Sequence, residues 1–447
     1  MTNAEQSETA RRWLRPGARL LWSVLAIVAL ALITELSGAA SAWWQWPAVL
    51  LAGLTLVDLW QVSRTPWPVV VRRMPHNLPV NRLTDIRLQL RNRSKLPQWL
   101  QVDESIPGDW AVDGLPGSAL LPPESGAVLK FEVRPLQRGA STLPPTTLLR
   151  RSPFGFWQQR RPADMPPQPV QVYPDFAIIR EYLELLPAQQ TGVLGIRRMP
   201  RLGEGLEFHQ LRDYRPGDSS RQVDWKATSR RLTLISREYE DERDQQLVFL
   251  LDTGRRMRSR EQGLSHFDHT LNATLLLSYI ALRQGDRIAA LSFGAESTWI
   301  PPMRGPAALR QLLAATYAMQ PGSEASDYVQ AAEALMQRQR KRALVLLLTN
   351  IREDDADLIP ALRLLRSRHL VILASLREQA LDDCLQQQPG DFGSALELAG
   401  AHYYLNARRQ LTKALVTESD ALIDTTPKAL PVSLVNSYWA MKRSRRL

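Results

Sequence analysis

Two apolar runs stand near the start of the chain, residues 20–34 (LLWSVLAIVALALIT) and 42–57 (AWWQWPAVLLAGLTLV), separated by Glu35, Ser37, Gly38 and small residues. Each is shorter than the ~20 residues of an ideal membrane span. Arg19 and Glu35 can extend towards the interface, and Trp43, Trp44, Trp46 and Trp60 are placed as interfacial anchors, so the pattern predicts two short antiparallel spans within 18–62. A signal peptide followed by a core helix, and a buried soluble hairpin, are the alternatives; the lack of a good cleavage site and the second apolar run directly behind the first count against them. Asp58, near the end of the second run, reads as an interfacial residue.

The period then changes to two. Ile86, Leu88 and Leu90 alternate with Arg87, Gln89 and Arg91, and Ala127, Leu129, Phe131 and Val133 repeat the pattern. With turns such as Pro107-Gly108-Asp109, residues 67–174 read as a small antiparallel β-sandwich, and the proline-rich stretch 162–174 as its exit linker. Further on, strands and helices alternate. Residues 247–251 (LVFLL), 287–293, 343–348, 370–375 and 421–424 read as strands; 267–282, 307–319, 327–340, 356–366 and 395–415 read as helices. That alternation over 246–447 predicts a doubly wound, parallel α/β domain with its ligand crevice at the carboxyl ends of the strands. The fold class is therefore multidomain: an N-terminal transmembrane helical hairpin, a β-sandwich and a C-terminal α/β domain.

Charge adds an orientation. Lys and Arg outnumber Asp and Glu by 56 to 45, a net +11, but the excess is interspersed with acids and forms no nucleic-acid stripe. Arg11, Arg12, Arg15 and Arg19 precede the first span and Arg64, Arg72 and Arg73 follow the second, while the turn between has no basic residue. The positive-inside rule then places both termini, including residues 1–17, and the main domains in the cytoplasm. Arg150, Arg151, Arg160 and Arg161 flank Phe154-Gly155-Phe156-Trp157 and read as solvated loop arginines, with lipid headgroups as the alternative partner. The tail residues Lys442, Arg443, Arg445 and Arg446 leave the same choice open. One cysteine, Cys384, excludes an internal disulfide and a cysteine metal cluster.

Between the two folded regions, residues 175–245 form a joint whose segment 203–237 interleaves charges of both signs with aromatics: Glu207, Arg212, Tyr214, Asp218, Arg221, Asp224, Trp225 and Lys226. A solvated charged segment, a polar lock and a partner-binding surface are all consistent with it. A short helix is expected over 219–231. Gly203 and Gly205 lack the Gly-Lys-Ser/Thr ending of a phosphate loop, so ATP binding has no support.

The run GEGLEFHQLRDYRPGDSSRQVDWKATSRR, with Leu291-Ser-Phe, Ser326-Asp-Tyr and Arg342 to Thr349, closely resembles the bacterial membrane proteins called domain of unknown function fifty-eight. The resemblance implies a von Willebrand factor A-like domain after the signature and a functional link to a MoxR-type AAA+ ATPase. In such domains the crevice can hold a divalent cation through Asp-x-Ser-x-Ser, a later Thr and an Asp after the fourth strand. Here the first motif reads Asp252-Thr253-Gly254-Arg255-Arg256, the last position reads Asn350, and Asp327 beside Ser326 is left as a possible oxygen donor. A degenerate, metal-free crevice with an Asp252–Arg256 contact is expected. His266 and His269 read as polar residues at a helix start, without further ligands. No nucleophile elbow or distinctive carboxylate pair is visible.

The expectation is a non-enzymatic, membrane-anchored adaptor or assembly factor in the bacterial plasma membrane. It would need no cofactor and bind proteins, a MoxR-type ATPase among them, with no nucleic acid and no evident small-molecule substrate. A divalent-cation-dependent protein-binding receptor is the alternative.

Overall fold

The computed structural model describes residues 13–36, 43–174, 207–215, 223–240, 245–352, 355 and 357–444. The chain divides into two units, Met1–Tyr173 and Pro174–Leu447.

In the first unit, helices Ala18–Leu36 and Gln45–Arg64 are long and apolar enough to cross a membrane by length and composition. The first extends beyond the run 20–34 at both ends; the second starts inside the run 42–57 and continues seven residues past it. Around their base lie a five-stranded, a four-stranded and a three-stranded sheet. Strand Thr84–Arg91 shows why these residues pair: Ile86, Leu88 and Leu90 are buried, and Ile86 and Leu88 lie opposite Phe131 and Leu129 of strand Gly126–Pro135. One expectation fails here. The proline-rich stretch is no linker, because Gln168–Tyr173 pairs with Gly139–Leu143 and Asn77–Pro79. Pro169 stands in this ladder opposite Thr142, outside the residues Gln171 and Val172 that pair on both sides, and Pro79 ends its strand. A strand that was not foreseen precedes the first helix: Trp13–Pro16 lies at a sheet edge antiparallel to Trp157–Pro162, Trp13 facing Arg160 and Pro16 facing Trp157. The chain thus leaves the β unit at Pro16 and returns to it at strand Val69–Arg73.

Asp58 is not an exposed interfacial acid. It is fully buried, and its carboxylate accepts from Ser152 Oγ (2.5 Å), Phe154 N (3.0 Å) and Phe156 N (3.2 Å). Trp157 Nε1 donates to the Thr55 carbonyl (3.0 Å), and Gly17 N to the Phe156 carbonyl (2.6 Å). A Cβ on Gly17 would stand 2.3 Å from the Gly155 carbonyl oxygen, so only glycine lets the first helix start this close to the loop. Arg150, read as a solvated loop residue, is buried too: it donates to the Val62 carbonyl (2.6 Å), the Thr65 carbonyl (3.0 Å) and Gln159 Oε1 (2.8 Å), and lies over the Trp67 ring. Burial, with Arg161 nearby, lowers its guanidinium to about 10. Arg72, counted above among the orienting charges, is buried against Glu104 at 2.6 Å.

The second unit is built on a six-stranded mixed sheet, in the order Trp299–Met303, Arg287–Phe293, Gln246–Asp252, Leu344–Thr349, Leu370–Leu376, Ala421–Thr425. All neighbours are parallel except the first pair, which is antiparallel. The apolar run Leu247–Leu251 within strand Gln246–Asp252 reflects burial on both faces. Helices His266–Arg283, Pro306–Thr316 and Leu430–Arg443 cover one face; Tyr328–Arg338, Leu358–Arg366 and Phe392–Glu418 cover the other. Chain order reverses between the Gln246–Asp252 and Leu344–Thr349 strands, so their carboxyl ends open a crevice there. The edge strand Trp299–Met303 was not expected, its sequence WIPPM carrying prolines that hide it. Of the basic residues at the end of the chain, Lys442 Nζ pairs with the buried Asp286 at 2.8 Å and Arg443 is exposed, while Arg445 and Arg446 lie outside the described residues.

Candidate functional site

Strand Gln246–Asp252 ends by placing Asp252 in the crevice, fully buried. Its Oδ1 accepts from Gly254 N (2.7 Å) and from Ser326 Oγ, and its Oδ2 accepts from Thr349 Oγ1 (2.5 Å). Thr349 Oγ1 also meets the Tyr328 hydroxyl at 2.9 Å. A Cβ at Gly254 would lie 2.1 Å from Ser326 Oγ, so the glycine read as a lost ligand is what lets Ser326 reach the carboxylate. Burial is the main cause of a raised Asp252 pKa, opposed by these donors.

Three expectations at the crevice are corrected. Arg256 does not pair with Asp252: its Nη1 forms an ion pair with Asp355 Oδ1. Asp327 is exposed and caps the Tyr328–Arg338 helix by accepting from Gln330 N (2.8 Å), while Ser326 supplies the oxygen instead. Asn350 is buried but bonds Glu378 Oε1 (2.9 Å) and faces His266 Nδ1 (3.3 Å), away from Asp252. A cavity of about 30 Å³, room for one or two waters, is lined by Arg255, Arg256, Ala325, Ser326, Tyr328 and Asp355.

These residues do not fit a hard cation. Such an ion seeks several oxygens and more than one carboxylate, whereas Asp355 is engaged by Arg256 and Gly254 offers no side-chain oxygen. Arg256→Ser removes the guanidinium from Asp355 Oδ1 and adds a hydroxyl oxygen, while the Arg352 amide still donates to Asp355 Oδ2. That variant should bind Mn²⁺ at least about tenfold more tightly than the wild type in calorimetry. Equal affinity would show that Arg256 does not exclude the ion.

His266 and His269 stand in the first turn of helix His266–Arg283, as read from the sequence, and both are buried there. Ser265 caps the helix through a capping box with Asp268. Glu261 Oε1 lies 3.6 Å from His266 Nε2, and the Glu261 carbonyl 3.2 Å from His269 Nε2. Burial is the first cause of a lowered pKa at both rings. Below about pH 6.5 the unfolded chain therefore takes up protons that the native unit resists, and stability falls with acidification. The melting temperature of His269→Gln should decline less than that of the wild type between about pH 7.5 and 5.5; parallel declines would contradict this.

The charged segment forms a separate structure. Strand Glu207–Asp213 pairs antiparallel with Ile235–Glu240, an arrangement not foreseen, and the expected helix is confined to Trp225–Arg231. Asp224 is its N-cap, accepting from Lys226 N and Ala227 N (both 3.0 Å) and from Arg237 Nε (2.9 Å). Arg212 Nη1 reaches the Asp213 carbonyl (3.1 Å), and Tyr214 N the Leu234 carbonyl (2.9 Å). Trp225 is two-thirds exposed, beside exposed Lys226. Asp218 and Arg221 lie outside the described residues, as does the side chain of Glu207. The Ala227 amide and Arg237 lower the Asp224 pKa, so its contribution holds above the ordinary carboxylate range and is lost on acidification through it. Asp224→Ala should speed amide exchange over residues 225–232 without lowering the melting temperature of the six-stranded sheet; a fall there would mean that hairpin and sheet are coupled.

Sequence reading missed Ser326, Thr349 and Asp355 as crevice partners, and Arg408 altogether. Ser326 and Thr349 stand in segments that carried the family resemblance, which was the available signal.

Comparison with known proteins adds the following. Over 103 residues the chain is 28% identical to "Uncharacterized protein YeaD" of Bacillus subtilis (strain 168), covering 23% of this chain and 24% of that protein, so it matches about a quarter of that relative's length. Escherichia coli alpha-2-macroglobulin activated by porcine elastase is 17% identical over 24% of this chain and 9% of its own, with a TM-score of 0.18. The native form of that protein, from domain MG7 to the C-terminus, gives 17% identity, the same share of this chain, 17% of its own and a TM-score of 0.19. Likeness this slight carries nothing about the fold. The segment holding the charged hairpin and the Asp252 crevice is the part with a family match: residues 210–388 match the family described as "Protein of unknown function DUF58".

Proposed function

We propose that this chain is a two-pass membrane protein whose second unit is a von Willebrand A-like, protein-binding module. It acts as a non-enzymatic adaptor or assembly factor that presents a client to a MoxR-type AAA+ ATPase. The observation that carries the recognition reading is the state of the crevice: its Asp252 carboxylate is held by Ser326, Thr349 and Gly254 N, and Arg256 by Asp355. Held in this way, the buried Asp252 and Thr349 fix the floor of the crevice, partly exposed Ser326 and Arg256 lie above them and exposed Arg255 stands on the rim; none of these groups is poised as a nucleophile with a base. Exposed Trp225, with Leu211, Leu232 and Leu234 also exposed, supports a second contact on the charged hairpin.

Membrane anchoring is supported by the two apolar helices and by the edge strand Trp13–Pro16. A strand ahead of the first helix that pairs with the sheet after the second favours a hairpin entering and leaving on one side, and disfavours a cleaved signal. On the arginine distribution that side is the cytoplasm of a bacterial inner membrane. The ATPase partner comes from the family resemblance. Crosslinking and purification from native membranes tests it: recovery of an AAA+ ATPase with the full chain is expected, and its absence under efficient crosslinking would remove the partnership.

A further inference from the structure

The loop Ser152–Trp157 is fastened to the helical pair well above its base. Asp58 lies six residues, and Thr55 nine, before Arg64 at the end of the second helix, which places the loop's anchor points ~9 to ~14 Å up that helix at 1.5 Å per residue. The first helix meets the same loop at its start, through Gly17 N on the Phe156 carbonyl and Arg19 Nη1 on the Phe154 carbonyl (3.2 Å). Above Thr55 only ~15 Å of the second helix remains, against ~30 Å of hydrocarbon in a bilayer. The helix reaches across only if the lipid begins near its Arg64 end, at or below the level of the loop.

The loop's own chemistry agrees. Phe154 is exposed, and Phe156 lies beside it with ring centroids 6.3 Å apart. Trp157 is half-buried with its indole N–H already bonded. Around the loop stand exposed Arg15, Arg19 and Arg151, the first and third lying on either side of Gln158 across the sheet. Arg15 is held over Trp13 at 4.3 Å and Arg151 over Trp99 at 3.8 Å. Aromatics ringed by guanidinium groups suit the layer where acyl chains meet phosphates. Asp58, the carboxylate to which the loop is fastened, has its charge met by three donors, as burial in such a layer requires.

We propose that the Ser152–Trp157 loop is a membrane-interface element that inserts Phe154 and Phe156 into the headgroup–acyl boundary of a phospholipid bilayer and so seats the β unit on the membrane. This rests on the membrane-spanning reading of the hairpin, and the test separates the two. Single cysteines are placed in the full chain carrying Cys384→Ser: Phe154→Cys in the loop, Val28→Cys mid-helix and Lys130→Cys on the four-stranded sheet. Each is labelled with an environment-sensitive fluorophore in phosphatidylglycerol/phosphatidylethanolamine nanodiscs. The label at 154 should be quenched by shallow lipid-borne nitroxides at least about twofold more than that at 130, and be shielded from aqueous iodide. A label at 154 as aqueous as that at 130, with 28 lipid-quenched, would overturn the loop proposal and leave the anchor standing. Aqueous behaviour at 28 as well would overturn both.

Discussion

Asp58→Ala should destabilise the first unit by about 3–5 kcal/mol, the cost of removing one partner from a buried, charge-assisted cluster. Ser152 Oγ and the amides of Phe154 and Phe156 all donate to that carboxylate, and an alanine would leave them buried without an acceptor. The damage should spread along the pairing: release of the loop frees the turn between strands Thr147–Arg151 and Trp157–Pro162, and with it the edge strand Trp13–Pro16. Hydrogen exchange in nanodiscs should show protection lost at residues 13–17 and 152–158. Asp58→Asn, which keeps an acceptor, should lose less. Unchanged exchange in Asp58→Ala would mean that the hairpin and the sheets are held together by something other than this cluster.

Arg408→Ala should cost the second unit a similar ~3–5 kcal/mol. Arg408 is almost wholly buried on helix Phe392–Glu418, with Nη1 donating to the Ile351 carbonyl and Nη2 to Ser375 Oγ (2.6 Å), the Leu376 carbonyl (3.0 Å) and Asp424 Oδ1 (2.7 Å). One guanidinium thus ties together the carboxyl ends of strands Leu344–Thr349 and Leu370–Leu376 and the Ala421–Thr425 strand, next to the Asn350 side of the crevice. At 2–4 °C per kcal/mol for a unit of this size, the melting temperature should fall by roughly 10 °C. Combining the change with Asp424→Asn should cost less than the sum of the two. Strict additivity would show that the pair is not coupled.

These two residues also mark where sequence reading ran out. Uninterrupted apolar runs and period-two alternation are local, so the apolar helices, Thr84–Arg91 and the central strands of the mixed sheet were legible. Trp13–Pro16 was not: four residues carry too little period to declare a strand, and only pairing with Trp157–Pro162 makes it one. Asp58 and Arg408 looked like an interfacial acid and one arginine of a helix. Their roles depend on partners tens of residues away. The crevice was half legible. Asp252 follows the first strand of the α/β unit directly, whereas Ser326, Thr349 and Asp355 converge on it or on Arg256 from later segments, and the glycine that permits the convergence reads in sequence only as a missing ligand.

The central claim is that the Asp252 crevice recognises a protein. The most direct measurement places a photo-crosslinking amino acid at position 255, on the exposed rim, and a second at position 392, exposed at the start of helix Phe392–Glu418, each in the full chain in native membranes. The account predicts that position 255 captures an AAA+ ATPase subunit or its client in a single defined adduct and that position 392 does not. Equal capture from both positions, or none from 255 while the ATPase still co-purifies, would contradict it.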